Sequence, residues 1–207
     1  MKISIGVSPL NSNADIILHP IKYEDSITYE PLAEEAVLAL LAKELVYDYV
    51  NKNVKQFFDE MDDGYLFSES NFDTFDIDNI KHSISDLNNE LIIGRDILLH
   101  PRKKNILKIV NLFRLIGFNV NEYIDSYSLD EIEELETFDG SVVYIEKGNN
   151  NKLLISPQFK LANKITTNKI FVDKKEKEVI IENNLKGVFG IVFEDYDKYP
   201  FKRVQIN

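Results

Sequence analysis

Residues 91–121, LIIGRDILLHPRKKNILKIVNLFRLIGFNVN, constrain the fold more than any other stretch of the chain. Leu91, Ile92 and Ile93 form a short apolar run, and Gly94 interrupts it. Pro101 suits a first helical turn, because its missing N–H is one that a helix start leaves unpaired anyway. Ile106, Ile109, Val110, Phe113 and Ile116 then recur at helical spacing and define one apolar stripe. Gly117 can take positive φ and stop the helix. Phe118 and Val120 open a second strand. Strand, helix and strand in that order predict a βαβ unit, and hence a parallel sheet with helices packed on it.

The segments before this unit read as two strands, a helix and an acidic excursion. Residues 2–7 alternate as a strand does, and residues 14–18 form a second strand ended by His19 and Pro20. A helix is expected over 32–58. Glu30, Glu34 and Glu35 lie near its N-terminus, where the backbone dipole favours negative charge. A helix of that length invites a break, and Asn51 to Asn53 is the place for it. Residues 59–86 are acidic and rich in turn formers, with Phe67, Phe72 and Phe75 interleaved. They predict a long surface excursion pinned by aromatics, with a short helix over 77–87.

After the βαβ unit a short acidic helix is expected over 129–136. Strands are expected over 141–146 and 153–156, with one or two helical turns over 158–164. Further strands follow over 170–172, 178–182 and 188–193. The fold class is therefore α/β, a parallel-sheet βαβ core with a β-rich C-terminal tail. The expected division is 1–140 for the α/β region and 141–207 for the β-rich portion, packed on the same core.

Composition removes several function classes. The 207 residues carry a formal net charge of -11, which disfavours sequence-independent nucleic-acid binding and adhesion to anionic membranes. Neither a nucleic-acid partner nor direct membrane insertion is expected, since no apolar run approaches the ~18 residues of a spanning helix. There is no Cys, so disulfides, Cys-ligated zinc and Cys-ligated iron–sulfur clusters are excluded within these residues. Asn11, Asn13 and Asp15 fall where a signal peptide needs an unbroken apolar core, and a cytoplasmic location is expected.

Candidate chemistry is sparse. Asp73, Asp76 and Asp78 loosely resemble a calcium loop, but its glycine and later Glu are missing, and solvated acidic surface is the better reading. His19, His82 and His100 show no metal-ligand spacing. A His could act as general base with a carboxylate, and Asp96 is the near partner. Ser8 and Ser156 lack a nucleophile elbow, and Gly94 alone is weak evidence for a nucleotide. His100, Arg102, Lys103 and Lys104 are the candidate anion- or partner-contact residues, because free N–H groups at a helix start after a parallel strand bind anions. The competing and favoured reading is that this basic cluster pairs with the chain's own carboxylates. No catalytic, cofactor-binding or metal-ligating residue is assigned, and no cofactor is expected.

Two stretches carry a resemblance. ITYEPLAEEAVLALLAK (27–43), followed by DDGYLFSESN (62–71), is one, and LIIGRDILLHPRKKNI (91–106) is the other. In order and separation they are similar to the molybdopterin-oxidoreductase-like region of the large peripheral-arm subunit of NADH-quinone oxidoreductase (respiratory complex I). The similarity covers roughly residues 20–125. It implies an α/β fold of molybdopterin-oxidoreductase type in the cytoplasmic arm of a respiratory electron-transport complex. In that family the region is a cofactor-free scaffold, and electron transfer belongs to a section bearing Cys-ligated clusters. With no Cys here, no cluster ligand carries over. The expectation is thus a structural, protein-binding subunit without activity alone. Its partners would be the other subunits of an NADH-quinone oxidoreductase, which would hold it at the inner face of the membrane. The alternative is a small α/β ligand-binding protein or enzyme using a cleft near 94–104.

Overall fold

A computed structural model describes residues 1–84, 88–135, 138 and 140–207. Strands β1 (Lys2–Ile5), β2 (Ile16–Leu18) and β3 (Lys22–Tyr23) open the chain. Helices α1 (Glu34–Val46), α2 (Lys52–Glu60), α3 (Asp63–Ser70) and α4 (Thr74–Ser83) follow. Next come β4 (Glu90–Ile93), α5 (Arg95–Leu99), α6 (Lys103–Leu112) and β5 (Asn119–Val120). Strands then dominate: β6 (Val142–Glu146), β7 (Lys152–Ile155), β8 (Lys169–Val172), β9 (Lys175–Ile181), β10 (Leu185–Lys186), β11 (Phe189–Phe193) and β12 (Phe201–Arg203). Helix α7 (Pro157–Ala162) lies between β7 and β8. The mixed α/β chain divides into two compact units, Met1–Pro20 with Ile27–Glu136, and Ile21–Ser26 with Thr137–Asn207.

The first unit is built on a parallel sheet of order β2-β1-β4-β5, every neighbouring pair parallel. The expected βαβ unit is present. β4 pairs with β5 in parallel, Glu90 opposite Asn119 and Leu91 opposite Val120. Between them α6 tightens into a 3-10 turn over Phe113–Ile116, and Gly117 ends it at φ +84°. Pro101, however, precedes the helix instead of opening it. The His100 carbonyl accepts the Lys103 N–H at 3.1 Å and its Nδ1 accepts the Arg102 N–H at 2.9 Å, so a turn fills the space before the helix starts.

Helix α1 is buried on all sides from Ala36 to Ala42, as a helix apolar all round must be. It shares one apolar cluster with Ile3, Ile5, Leu91 and Ile93 of the sheet and with Ile106, Ile109 and Val110 of α6. The break expected near Asn51 occurs there. A 3-10 turn spans Tyr47–Tyr49, and the Asn51 Oδ1 accepts the Val54 N–H at 3.1 Å to start α2.

Two expectations need correction. The acidic excursion is largely helical. Asp62 Oδ1 accepts the Tyr65 N–H at 3.0 Å and Asp73 Oδ1 accepts the Asp76 N–H at 2.9 Å, so these carboxylates cap α3 and α4. Phe72 is buried but Phe75 is exposed and pins nothing. Helix α4 begins at Thr74, earlier than the expected 77, and the end of the expected 77–87 helix falls on residues 85–87, outside the described residues. The acidic helix expected over 129–136 is absent over 129–135, and Glu136 lies outside the described residues. Its backbone is taken by α6 side chains and their neighbour: Asn105 Oδ1 accepts the Asp130 N–H at 2.8 Å and Asn105 Nδ2 donates to the Asp130 carbonyl at 2.8 Å. Arg102 Nη2 donates to the Glu131 carbonyl. These bonds replace the ones a helix would make.

The second unit holds a six-stranded sheet of order β12-β6-β11-β7-β9-β8, and a β3–β10 pair. β6 with β11 and β7 with β9 run parallel, while the other neighbours are antiparallel. Beyond β12 the chain continues along β8. Phe171 N–H donates to the Asn207 carbonyl at 2.9 Å, and Asn207 N–H returns the bond at 3.0 Å. The segment that continues β12 thus covers the β8 edge over 171–173 and curls the sheet back toward itself. Val143, Ile145, Leu153, Ile155, Phe159 and Val192 belong to this unit's own apolar cluster.

Candidate functional site

In an open α/β sheet, ligands bind at the carboxyl ends of the strands where the order reverses. Here that point lies between β1 and β4. Gly6 follows β1 and Gly94 follows β4, and the two backbones touch. A Cβ placed on Gly94 would lie 2.0 Å from the Gly6 carbonyl oxygen and 2.4 Å from the Val7 nitrogen. Gly94 N–H donates to the Ile5 carbonyl at 2.8 Å, and Asp96 N–H to the Gly6 carbonyl at 3.1 Å. The main chain itself thus occupies the space between these two strand ends.

The first unit holds two buried His–carboxylate contacts. His19 Nε2 lies 3.1 Å from Asp96 Oδ2, with side chains 0% and 1% exposed. Asp96 is the near carboxylate that the sequence suggests, and His19 is the His placed against it here. His100 Nε2 lies 3.3 Å from the Leu32 carbonyl and 3.4 Å from Glu34 Oε2, and Glu34 is fully buried in the first turn of α1. Since Nδ1 accepts the Arg102 N–H, the Nε2–H tautomer is the one that fits, and it donates without needing a charge. Burial pushes the His100 imidazole down to about 4, the Leu32 carbonyl opposes this, and the nearby Arg102 guanidinium adds to it. His82 stands apart on α4, exposed.

The depressed value fixes a sign. His100 titrates near 6.5 unfolded and near 4 folded, so between these values the unfolded chain binds more protons. Its contribution is whole above about 6.5 and is lost as pH falls toward about 4. Denaturant melts from pH 7 to pH 4 should therefore show a fall of roughly 3 kcal/mol from this group. His100→Asn should flatten that part of the slope. An unchanged slope in the variant would show that the imidazole is not held neutral.

Of the basic residues singled out from sequence, Arg102 is engaged inside the unit. Its Nε and Nη2 grip Glu35 at 2.9 and 3.1 Å, and Nη1 meets Glu133 at 2.7 Å. Glu35 is buried and also accepts from Asn105 Nδ2 at 2.6 Å. The Glu35 bonds hold the Arg102 guanidinium above even its usual range, with burial opposing and Glu133 and Asp130 assisting. Lys103 and Lys104 are exposed. The four candidates thus separate: His100 and Arg102 are used internally, and only the two lysines face solvent.

Comparison with protein-family models, curated proteins and solved structures returns no match to the chain. Among the described residues, no group of three or more His, Cys, Asp or Glu is placed to hold a metal ion. Also among them, no helix is long and apolar enough to cross a membrane. Ser156 caps α7, accepting the Phe159 N–H at 2.9 Å. Ser8 is buried in the loop after β1, and its hydroxyl has no hydrogen-bond partner among the described residues.

Sequence reasoning missed the roles of Glu34 and Glu35, although the signal was visible: two acids directly before the unbroken apolar run Ala36 to Ala42. It also missed a buried cation in the second unit. Lys177, on β9, is buried and meets Glu194 at 3.1 Å. Burial pushes the Glu194 carboxyl up, but Lys177 and Lys175 overcome this and leave it below its usual range.

Proposed function

We propose that the chain is a non-catalytic structural component of an NADH-quinone oxidoreductase of the complex I type, with no redox centre held by its own side chains. The observation that supports this most is the contact of Gly94 with Gly6 at the strand ends. An α/β sheet that closes its switch point on itself gives a substrate no place there, whereas a scaffold has no need of one. The pairing of His19, Asp96, His100, Glu35 and Arg102 within the unit agrees with that role. The resemblance to the large peripheral-arm subunit, whose matching region is itself a cofactor-free scaffold, supplies the identity of the complex and the molybdopterin-oxidoreductase type of fold. A location at the inner face of the membrane follows from such a complex and not from the chain itself.

A small ligand-binding protein is the alternative. It would need an open wall over 94–104, where His100 and Arg102 are instead engaged by Leu32, Glu34 and Glu35 of the same unit. Affinity purification of the tagged chain from gently solubilised membranes of its own host tests the proposal. Stoichiometric recovery of NADH-quinone oxidoreductase subunits is the expected result. Recovery of the chain alone, with the respiratory complex intact in the flow-through, would refute it.

A further inference from the structure

The first unit carries a groove of about 660 Å³ lined by α2, the start of α3 and the irregular segment around residues 129–134. Its apolar surface comes from Phe57, Met61, Tyr65, Leu129 and Ile132, all half-buried. Around these stand Glu60, Asp62, Glu131 and Glu134, all exposed. None of the twelve lining residues is Lys, Arg or His. Two carboxylates come from the helical side and two from the irregular segment.

The irregular wall is not loose. Asn105 holds Asp130 through both backbone groups, Arg102 holds the Glu131 carbonyl and the Glu133 carboxylate, and the Leu135 N–H donates to the Tyr65 hydroxyl at 3.1 Å. The groove is thus formed in advance, and an occupant need not order it. These restraints act on the backbone and on Glu133, while Glu131 and Glu134 are exposed residues of the groove lining.

We infer that this groove docks a basic amphipathic segment of a partner polypeptide, its apolar side chains on Phe57, Met61 and Ile132 and its Lys or Arg side chains against Glu60, Asp62, Glu131 and Glu134. Charge complementarity selects the occupant. An apolar floor alone would accept any hydrophobe, but four carboxylates in a lining without a cation repel an acidic one and attract a cationic one. The length agrees with a chain segment: the nine residues of α2 give a wall of about 13 Å at the helical rise, room for two or more turns of a helix. The inference uses the scaffold reading only in taking the occupant to be protein; it does not depend on which complex supplies it.

The test uses the full chain and synthetic peptides of about four helical turns. One is an amphipathic Leu/Lys helix, one its Leu/Glu counterpart and one a Lys-only chain, with spermine as a small polycation. The Leu/Lys peptide should bind saturably and protect amides of 53–66 and 129–134 from hydrogen exchange. Its affinity should fall at least tenfold in a Glu131→Lys/Glu134→Lys variant, whose exposed positions leave the core untouched. Gln56→Lys, on the exposed rim of α2, provides a second variant and should weaken binding severalfold. Equal binding by the Lys-only chain or by spermine would overturn the inference, because the floor would then contribute nothing. So would protection elsewhere on the chain, or a Leu/Lys affinity unmoved by both variants. A wild-type chain that co-purifies with a respiratory complex, alongside a charge-reversed chain that does so equally well, would defeat this inference while leaving the scaffold role standing.

Discussion

Gly94→Ala should cost at least about 4 kcal/mol of stability, the range reached only when a substitution forces the backbone apart. Gly94 sits at φ -93° and ψ 179°, a conformation open to any residue, so no torsional strain is involved. The penalty is purely one of space. A methyl group 2.0 Å from the Gly6 carbonyl oxygen has no rotamer to escape into, and both neighbours are main chain. Relief requires β1 and β4 to separate at their carboxyl ends, breaking the Gly94 N–H bond to Ile5 and the Asp96 N–H bond to Gly6. Gly117→Ala is the internal control. Gly117 has φ +84° and nothing within 4 Å of a new Cβ, so it should lose only about 1 kcal/mol, the torsional cost of a left-handed alanine. Urea unfolding of the two variants side by side gives the comparison. Equal losses would mean that the two strand ends are not in contact.

Arg102→Ala should cost roughly 3–5 kcal/mol, because it strands the buried Glu35 carboxylate with Asn105 as its remaining partner. The same change releases the Glu131 carbonyl and the Glu133 carboxylate, so hydrogen exchange should quicken over 129–134 before the unit unfolds. Arg102→Lys should recover only part of the loss, since an ammonium cannot supply the two parallel bonds that a guanidinium makes to one carboxylate. Combining Arg102→Leu with Glu35→Leu should be far milder than either alone, because no charge is then left buried without its partner. Additive losses in that double variant would show that the pair is not coupled and that Arg102 remains available for an external anion.

The βαβ unit is legible in the sequence because its signals are local. The stripe Ile106, Ile109, Val110, Phe113 and Ile116 and the stop at Gly117 depend on helical spacing and one backbone torsion. The break at Asn51 is legible for the same reason, a cap read from its own neighbours. What is not legible depends on partners distant in the chain. Residues 129–135 have helix-forming composition, yet Asn105 and Arg102 claim their backbone from about 25 residues away, and no local pattern announces this. The acids of 59–86 mislead in the opposite way. Their density suggests solvated charge, although Asp62 and Asp73 each stand at the head of a helix and cap it. The candidate site suffers from both effects. His19 and Asp96 lie 77 positions apart, so their pairing belongs to the fold alone. Covering of the β8 edge by residues 205–207 is likewise a long-range event, invisible in a terminal stretch with no strand pattern.

The packed strand ends can be tested most directly by thermal melts of the full chain across a panel of nucleotides, dinucleotides and small phosphorylated or carboxylated metabolites. A switch point filled by its own backbone predicts no saturable rise in Tm with any of them, since a ligand that binds only the native state must raise it. A rise that saturates with ligand concentration, and that disappears in His100→Asn or Arg102→Lys while both variants stay folded, would contradict it and place an open ligand site at the carboxyl ends of the sheet.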